Sequence, residues 1–348
     1  MEAHALRMPT DLPTTEDART MPKNVHLTLA CGDYEILRGL IDGTTTPEGV
    51  DLTILKNMDS TTRHWRFLRN GEFDIGELSC SSYMMTRDQG MEIDAIPVFP
   101  HRRFRHGFVF INTSKGIKSP KDLIGKKVGV KSFQATAILW MKGILEHEYG
   151  VPHRDIEWFS DLDEDIEFEK PKGLKLTRLP DSTSVEKELV EGRLDAVLHT
   201  DLIEPVVNKD PRVARLFTDH HAEEKAFYKK TGMFPIMHVV AIRRHLVKQY
   251  PWLPINLFKA FNESKAAGMK RMFNPRVVPL AWYTEYWEEE RDLLGTDPWS
   301  YGLSEQNCKT LDNMIGYSHE QGLIKRRLSV DEMFLDVSEG KKRGTFRV

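Results

Sequence analysis

From Val25 onward, short apolar runs alternate with amphipathic stretches. VHLTLA (25–30), VDLTIL (50–55), EFDIGEL (72–78) and IDAIPVFP (93–100) have the length and β-branched character of strands. Between them, YEILRGLIDG, the segment 60–69 and SSYMMTRDQG carry helical spacing, the first and last ending at Gly43 and Gly90. A second series follows: FRHGFVFIN (104–112), KVGV (127–130), a helix over 135–150 stopped by Gly150, a helix and strand over 183–200, and FPIMHVVAIRRHL (234–246). Strand–helix alternation of this kind predicts mostly parallel sheets covered by helices, an α/β protein. Beyond Tyr250 the pattern is nearly all helical, with Trp282, Trp287 and Trp299 as expected packing anchors.

Two long strands stand apart, at 104–112 and 234–246, and bracket about 120 residues. A chain that leaves one lobe, builds a second and crosses back has this layout. The expected division is a polar arm over 1–23, a discontinuous first lobe over 24–108 and 239–348, and a second lobe over 109–238. Paired crossovers make a hinge, and the cleft between lobes is then the ligand site.

Composition narrows the partners. The 348 residues are 40% hydrophobic and 29% charged with a formal net charge of −3, so no global field recruits nucleic acid or an anionic membrane. Cys31, Cys80 and Cys308 form no CxxC pair, which suits free thiols in a reducing compartment. No apolar run is long enough to span a bilayer. Residues 1–23 lack a continuous apolar segment and carry Glu2, Asp11, Glu16 and Asp17, against a secretory signal and toward a cytoplasmic location.

The phrases SPKDLIGKKVGV (119–130) and KELVEGRLDAVL (187–198) resemble the substrate-binding-protein superfamily. ACGDYE (30–35), EFDIGELSCSSYM (72–84), IPVFPHRRFRHGFVFIN (96–112), GVKSFQATAILWMKGILEHEYGV (129–151), TGMFPIMHVVAIRRHL (231–246) and YSHEQGL (317–323) are sharper. In that order they resemble the 4,5-dihydroxyphthalate decarboxylase family, over about residues 25–335. The resemblance implies a two-lobed, type II periplasmic-binding-protein-like fold with two crossover strands and a helical C-terminal region. It also implies decarboxylation of a dihydroxylated aromatic dicarboxylate, with no cofactor required.

Such a reaction needs the carboxylate held, the ipso carbon protonated and the ring cation stabilised by a para hydroxyl. In HRRFRHG (101–107), period-two alternation puts Arg103 and Arg105 on one face, where two guanidinium forks suit a dianion; surface ion pairs explain them as well. His106 and His238, one on each crossover strand, are the expected proton donors, or else hydrogen-bonded structural histidines. His199 is a weaker third candidate.

Asp33, Tyr34, Glu77, Ser79, Ser81 and Ser82 follow strand ends and so face the expected crevice. Glu77 suits proton transfer or an arginine partner, and Asp33 and the serines are equally explained as helix caps. Ser132, Gln134 and Thr136 lie between a strand and a long helix, an anion site in the family reading and a capping site otherwise.

No metal-binding spacing, phosphate loop or nucleophile elbow is present. Two readings follow. One is a cytoplasmic carboxy-lyase for a small aromatic dicarboxylate; the other is a solute-binding protein for an aromatic carboxylate or related anion. The tryptophan-bearing C-terminal helices leave a homo-oligomer open as a further partner.

Overall fold

The computed structural model describes residues 24–338; the expected polar arm and the last ten residues lie outside them. Among the described residues, eleven strands form two sheets. The first contains β1 (Val25–Ala30), β2 (Val50–Leu55), β3 (Ile75–Ser79), β4 (Ile93–Ile96) and β11 (His238–Arg243) in the order β2-β1-β3-β11-β4. The second contains β5 (Val109–Asn112), β6 (Lys127–Val130), β7 (Glu157–Ser160), β8 (Lys175–Arg178), β9 (Ala196–Leu198) and β10 (Val213–Arg215) in the order β10-β5-β9-β6-β7-β8.

Pairing is parallel along β2-β1-β3 and along β9-β6-β7-β8. β11 runs antiparallel between β3 and β4, and β5 antiparallel between β9 and β10. All five residues of β3 are buried, and so are the first five of β11, which is why both read as continuous apolar runs. Glu77 is the charged exception in β3, and burying it demands compensation.

The chain passes between sheets at 97–108 and 216–237, and these connections are tied down. Trp140 Nε1 donates to the Ile236 carbonyl at 2.9 Å. Buried Arg102 donates to Asn307 Oδ1 at 2.6 Å and to the Ser300 and Phe234 carbonyls.

The expected long strand 104–112 is corrected. Only Val109–Asn112 is strand; a 3₁₀ turn, His106–Phe108, precedes it, and Arg102 makes an isolated bridge with Ile236. A Cβ on Gly107 would sit 2.6 Å from the His220 ring, and Gly107 N–H bonds Glu224, so the turn is shaped by packing that period-two reading does not register. The other long strand is shorter, β11 running only from His238 to Arg243, and it enters a helix, Arg244–Gln249.

The C-terminal helices Leu253–Met272, Tyr283–Leu294 and Glu305–Glu320 complete the molecule. Trp299 packs edge-on against Phe234, and Trp287 against Phe273. Trp282 is 68% exposed and anchors nothing, because the helix that follows it buries none of its own residues.

Candidate functional site

The principal cavity, of about 970 Å³, opens beyond the carboxyl ends of β1 and β2, where an open α/β sheet places ligands. Gly32, Tyr34, Arg63, His101, Arg103 and His238 line its floor; Asp201 reaches it from the second sheet, and the segment 280–299 covers the other side.

Behind the lining residues Gly32, Tyr34, Arg63 and His238 lies Glu77, with no solvent exposure. Oε2 accepts from Gly32 N at 2.7 Å and pairs with Arg63 Nη2 at 3.0 Å. Oε1 accepts from Tyr34 Oη at 2.8 Å and makes a short contact with His238 Nδ1. Burial alone would raise this carboxyl; His238, Arg63 and the Tyr34 hydrogen bond override it and hold it well below the usual carboxylate range. Burial, then the Glu77 charge, raises Tyr34, which therefore stays a protonated donor.

Arg63 is brought in by the helix Ser60–Trp65, whose first turn is fixed by Asp59 accepting from Thr62 N at 2.9 Å. The same helix buries His64, whose ring meets that of His238 edge-on at 4.9 Å. On the other side the His101 ring lies 4.8 Å from His238 and 6.0 Å from Tyr34. Burial, then the neighbouring His238, pushes His64 well down and His101 down to about 2, so both remain neutral. The site is thus one buried carboxylate holding a histidine whose Nε2 is left for the cavity, beside two neutral imidazoles.

Of the residues singled out from sequence, His238, Tyr34, Asp33 and Arg103 line this cavity, and Glu77 holds His238 and Tyr34 from behind. Asp33 is bound to Arg38 at 2.7 Å and Lys56 at 3.1 Å, and Arg103 lies 3.6 Å from Asp201.

His106 is not there, and its expected approach to His238 is corrected. It is buried among Phe217 (5.2 Å), Phe227 (5.5 Å) and Tyr149 (6.1 Å), with neither ring nitrogen partnered among the described residues. Burial, then His220, lowers it to about 4. Arg105 is corrected too: without a strand at 104–108 the two arginines share no face. Its guanidinium is buried on the Met237 sulfur (2.9 and 3.2 Å) and the Thr200 carbonyl (2.7 Å).

Ser79, Ser82 and Thr136 are engaged in contacts between segments of the two sheets, while Ser81 Oγ and Gln134 Nε2 are buried without a hydrogen-bond partner among the described residues. Ser79 Oγ and Thr136 Oγ1 are 2.8 Å apart, Ser81 N donates to Thr136 Oγ1 at 3.0 Å, and Ser82 Oγ donates to Asp165. Gln134 is buried, its N–H donating to Glu164 and its Oε1 accepting from Ile166 N. Half-buried Ser132 does not line the cavity. His199 bonds Glu186 Oε1 at 2.9 Å and caps the Asp201 backbone, which explains it structurally.

Arg63, His64 and His101 were missed. His101 begins the basic run, while Arg63 and His64 lie in the last turn of a short helix that follows a parallel strand. The position of that helix beside the crevice was the signal available. Among the described residues no group of three or more His, Cys, Asp or Glu is arranged to hold a metal ion. Cys31 and Cys80 are buried free thiols, and Cys308 is half-buried.

Residues 46–158 match the family model described as NMT1/THI5 like. A 4,5-dihydroxyphthalate decarboxylase of Comamonas testosteroni is 36% identical over 319 residues, covering 89% of this chain and 96% of its own. The chain belongs to the 4,5-dihydroxyphthalate decarboxylase family. A second member of that family, from Pseudomonas putida, is 32% identical over 59% of this chain and 82% of its own. Among solved structures, the periplasmic aliphatic sulphonate binding protein SsuA from Escherichia coli superposes with TM-score 0.54 at 12% identity, covering 90% of this chain and 98% of its own. The alkanesulfonate-binding protein SsuA from Xanthomonas axonopodis pv. citri gives 0.54 at 13% identity, with 90% and 99% covered. These likenesses establish the two-lobed periplasmic-binding-protein-like α/β fold of this decarboxylase-family chain.

Proposed function

We propose that this protein is a cytoplasmic carboxy-lyase that converts 4,5-dihydroxyphthalate to protocatechuate and CO2 by protonating the ipso carbon in the cavity. The observation that carries this reading is the Glu77–His238 pair, a buried carboxylate behind an imidazole that lines the cavity. A carboxylate fixed on Nδ1 keeps the histidine oriented and leaves its Nε2 to address the substrate. A site that only bound a dianion would gain nothing from burying a carboxylate behind its histidine.

In the proposed step the His238 Nε2 proton passes to the ring carbon that bears the departing carboxylate. The ring hydroxyl para to it feeds electron density into the ring, spreading the positive charge. The carbon–carboxylate bond then breaks, its electron pair restores the aromatic ring, and CO2 leaves. Solvent returns the proton to His238. Glu77 stays ionised throughout, because Arg63, Tyr34 and the Gly32 amide satisfy its oxygens. Arg103, half-exposed at the cavity wall, is placed to meet a carboxylate.

Chelator-treated protein mixed with 4,5-dihydroxyphthalate tests this directly, following CO2 release and the ultraviolet spectrum of protocatechuate. Saturable binding by calorimetry without CO2 would turn the reading to a solute-binding protein.

A further inference from the structure

His101 has a geometry that the proton transfer does not use. Its carbonyl accepts from Met237 N at 2.9 Å and from His238 N at 3.4 Å, so its backbone is pinned to the segment carrying the proton donor. Its ring lines the cavity between Tyr34 and His238. Of its two ring nitrogens, Nδ1 is sealed from solvent with no hydrogen-bond partner among the described residues, which leaves Nε2 as the nitrogen the cavity addresses.

A neutral imidazole has one donor and one acceptor nitrogen. A buried N–H without a partner is rarer and more costly than an under-used lone pair, so the proton belongs on Nε2 and the lone pair on the sealed Nδ1. A second proton would have to enter at Nδ1, where nothing accepts it, beside His238 and with Arg103 and Arg105 nearby. His101 therefore offers the cavity one fixed, uncharged N–H. A carboxylate is better met by the guanidinium of Arg103; an uncharged donor suits the oxygen of an uncharged hydroxyl.

We infer that His101 is a specificity-determining residue whose Nε2–H recognises a ring hydroxyl of the substrate beside the proton donor. The inference rests on the proposed decarboxylation. A site built to hydrogen-bond a hydroxyl discriminates strongly against the analogue lacking it.

The test compares 4,5-dihydroxyphthalate with 4-hydroxyphthalate, one ring hydroxyl fewer, on the full-length protein. Both kcat/KM and calorimetric affinity are measured for wild type, His101→Ala and His101→Gln. Wild type is expected to prefer the dihydroxylated compound at least tenfold. His101→Ala should bring that ratio close to one, and His101→Gln, which keeps an N–H, should restore part of it. A merely structural residue would lower both substrates alike and leave the ratio unchanged, which overturns the inference, as does a wild type with no preference. If wild type releases no CO2 from either compound, the decarboxylase reading fails, and the same ratio of affinities still decides His101. Absence of binding to both overturns the two together.

Discussion

His238 lies diagonally across an antiparallel strand pair from Glu77: the register sets His238 against Ser79 and Glu77 against Val240. Residues two apart on a strand share a face, so both side chains project to the same side and the imidazole reaches the carboxylate. The pair is built into sheet hydrogen bonding, the most rigid support this fold has.

Removing the proposed proton donor tests that pair. His238→Gln should lower kcat by about 10²–10⁴-fold while substrate affinity stays within a few-fold. Glu77→Gln should also abolish turnover, but it leaves the Arg63 charge uncompensated in the interior and should destabilise the fold by about 3–5 kcal/mol. Stopped turnover with intact binding in His238→Gln is the clean result; undiminished kcat would remove His238 from the chemistry.

Gly32 supports the same centre. A Cβ there would collide with the Tyr34 ring, which donates to Glu77. Gly32→Ala should push Tyr34 off the carboxylate and lower kcat on the order of 10²-fold, the cost of a small misplacement in an active site, with circular dichroism unchanged. Full activity would show that Tyr34 does not hold Glu77 in the working enzyme.

The two arginines of the basic run should part company. Arg103→Ala is expected to raise the substrate Kd roughly 10–100-fold with an unchanged melting temperature, as for loss of a hydrogen bond to a charged group. Arg105→Ala, by contrast, should lower the melting temperature, since it strips the Met237 and Thr200 contacts of a buried side chain. Equal effects of both on binding would place Arg105 back at the ligand.

His106→Phe should keep turnover and stabilise the protein by about 1 kcal/mol, because it exchanges two unpartnered buried ring nitrogens for carbon among Tyr149, Phe217 and Phe227. Loss of activity would restore His106 to the site.

Acid stability follows from the same burial. His106 is held near 4 against an ordinary value of 6.5, so the unfolded chain binds the proton more tightly than the folded one. Its contribution is complete above about pH 6.5 and is lost as pH falls through the folded value, up to roughly 3 kcal/mol. His64 and His101 shift in the same direction. Urea unfolding between pH 7.5 and 4.5 should show stability falling with pH, and His106→Phe should flatten part of that slope. A stability independent of pH across this range would contradict the neutral, buried state of these rings.

Strand and helix periodicity, with the motifs in order, determined the α/β class, the family resemblance and the importance of Glu77 and His238. Those features are local: an apolar run of strand length is legible wherever it pairs, and Glu77 near the end of EFDIGEL or a His inside FPIMHVVAIRRHL signals a polar group that burial must satisfy. What only the tertiary structure decided is which distant residues satisfy it. Arg63, Tyr34 and the Gly32 amide converge on Glu77 from two other segments, and His101 rather than His106 meets His238, because a turn packed on His220 and Glu224 ends the alternation that sequence extended to Phe104. Likewise Thr136 and Ser79 bond each other instead of a ligand, since two helix starts are pressed together across the lobes. Period-two and period-3.6 patterns report which face a residue takes on its own element. Which element lies opposite that face is set by long-range packing, and the chemistry of the cavity depends on that.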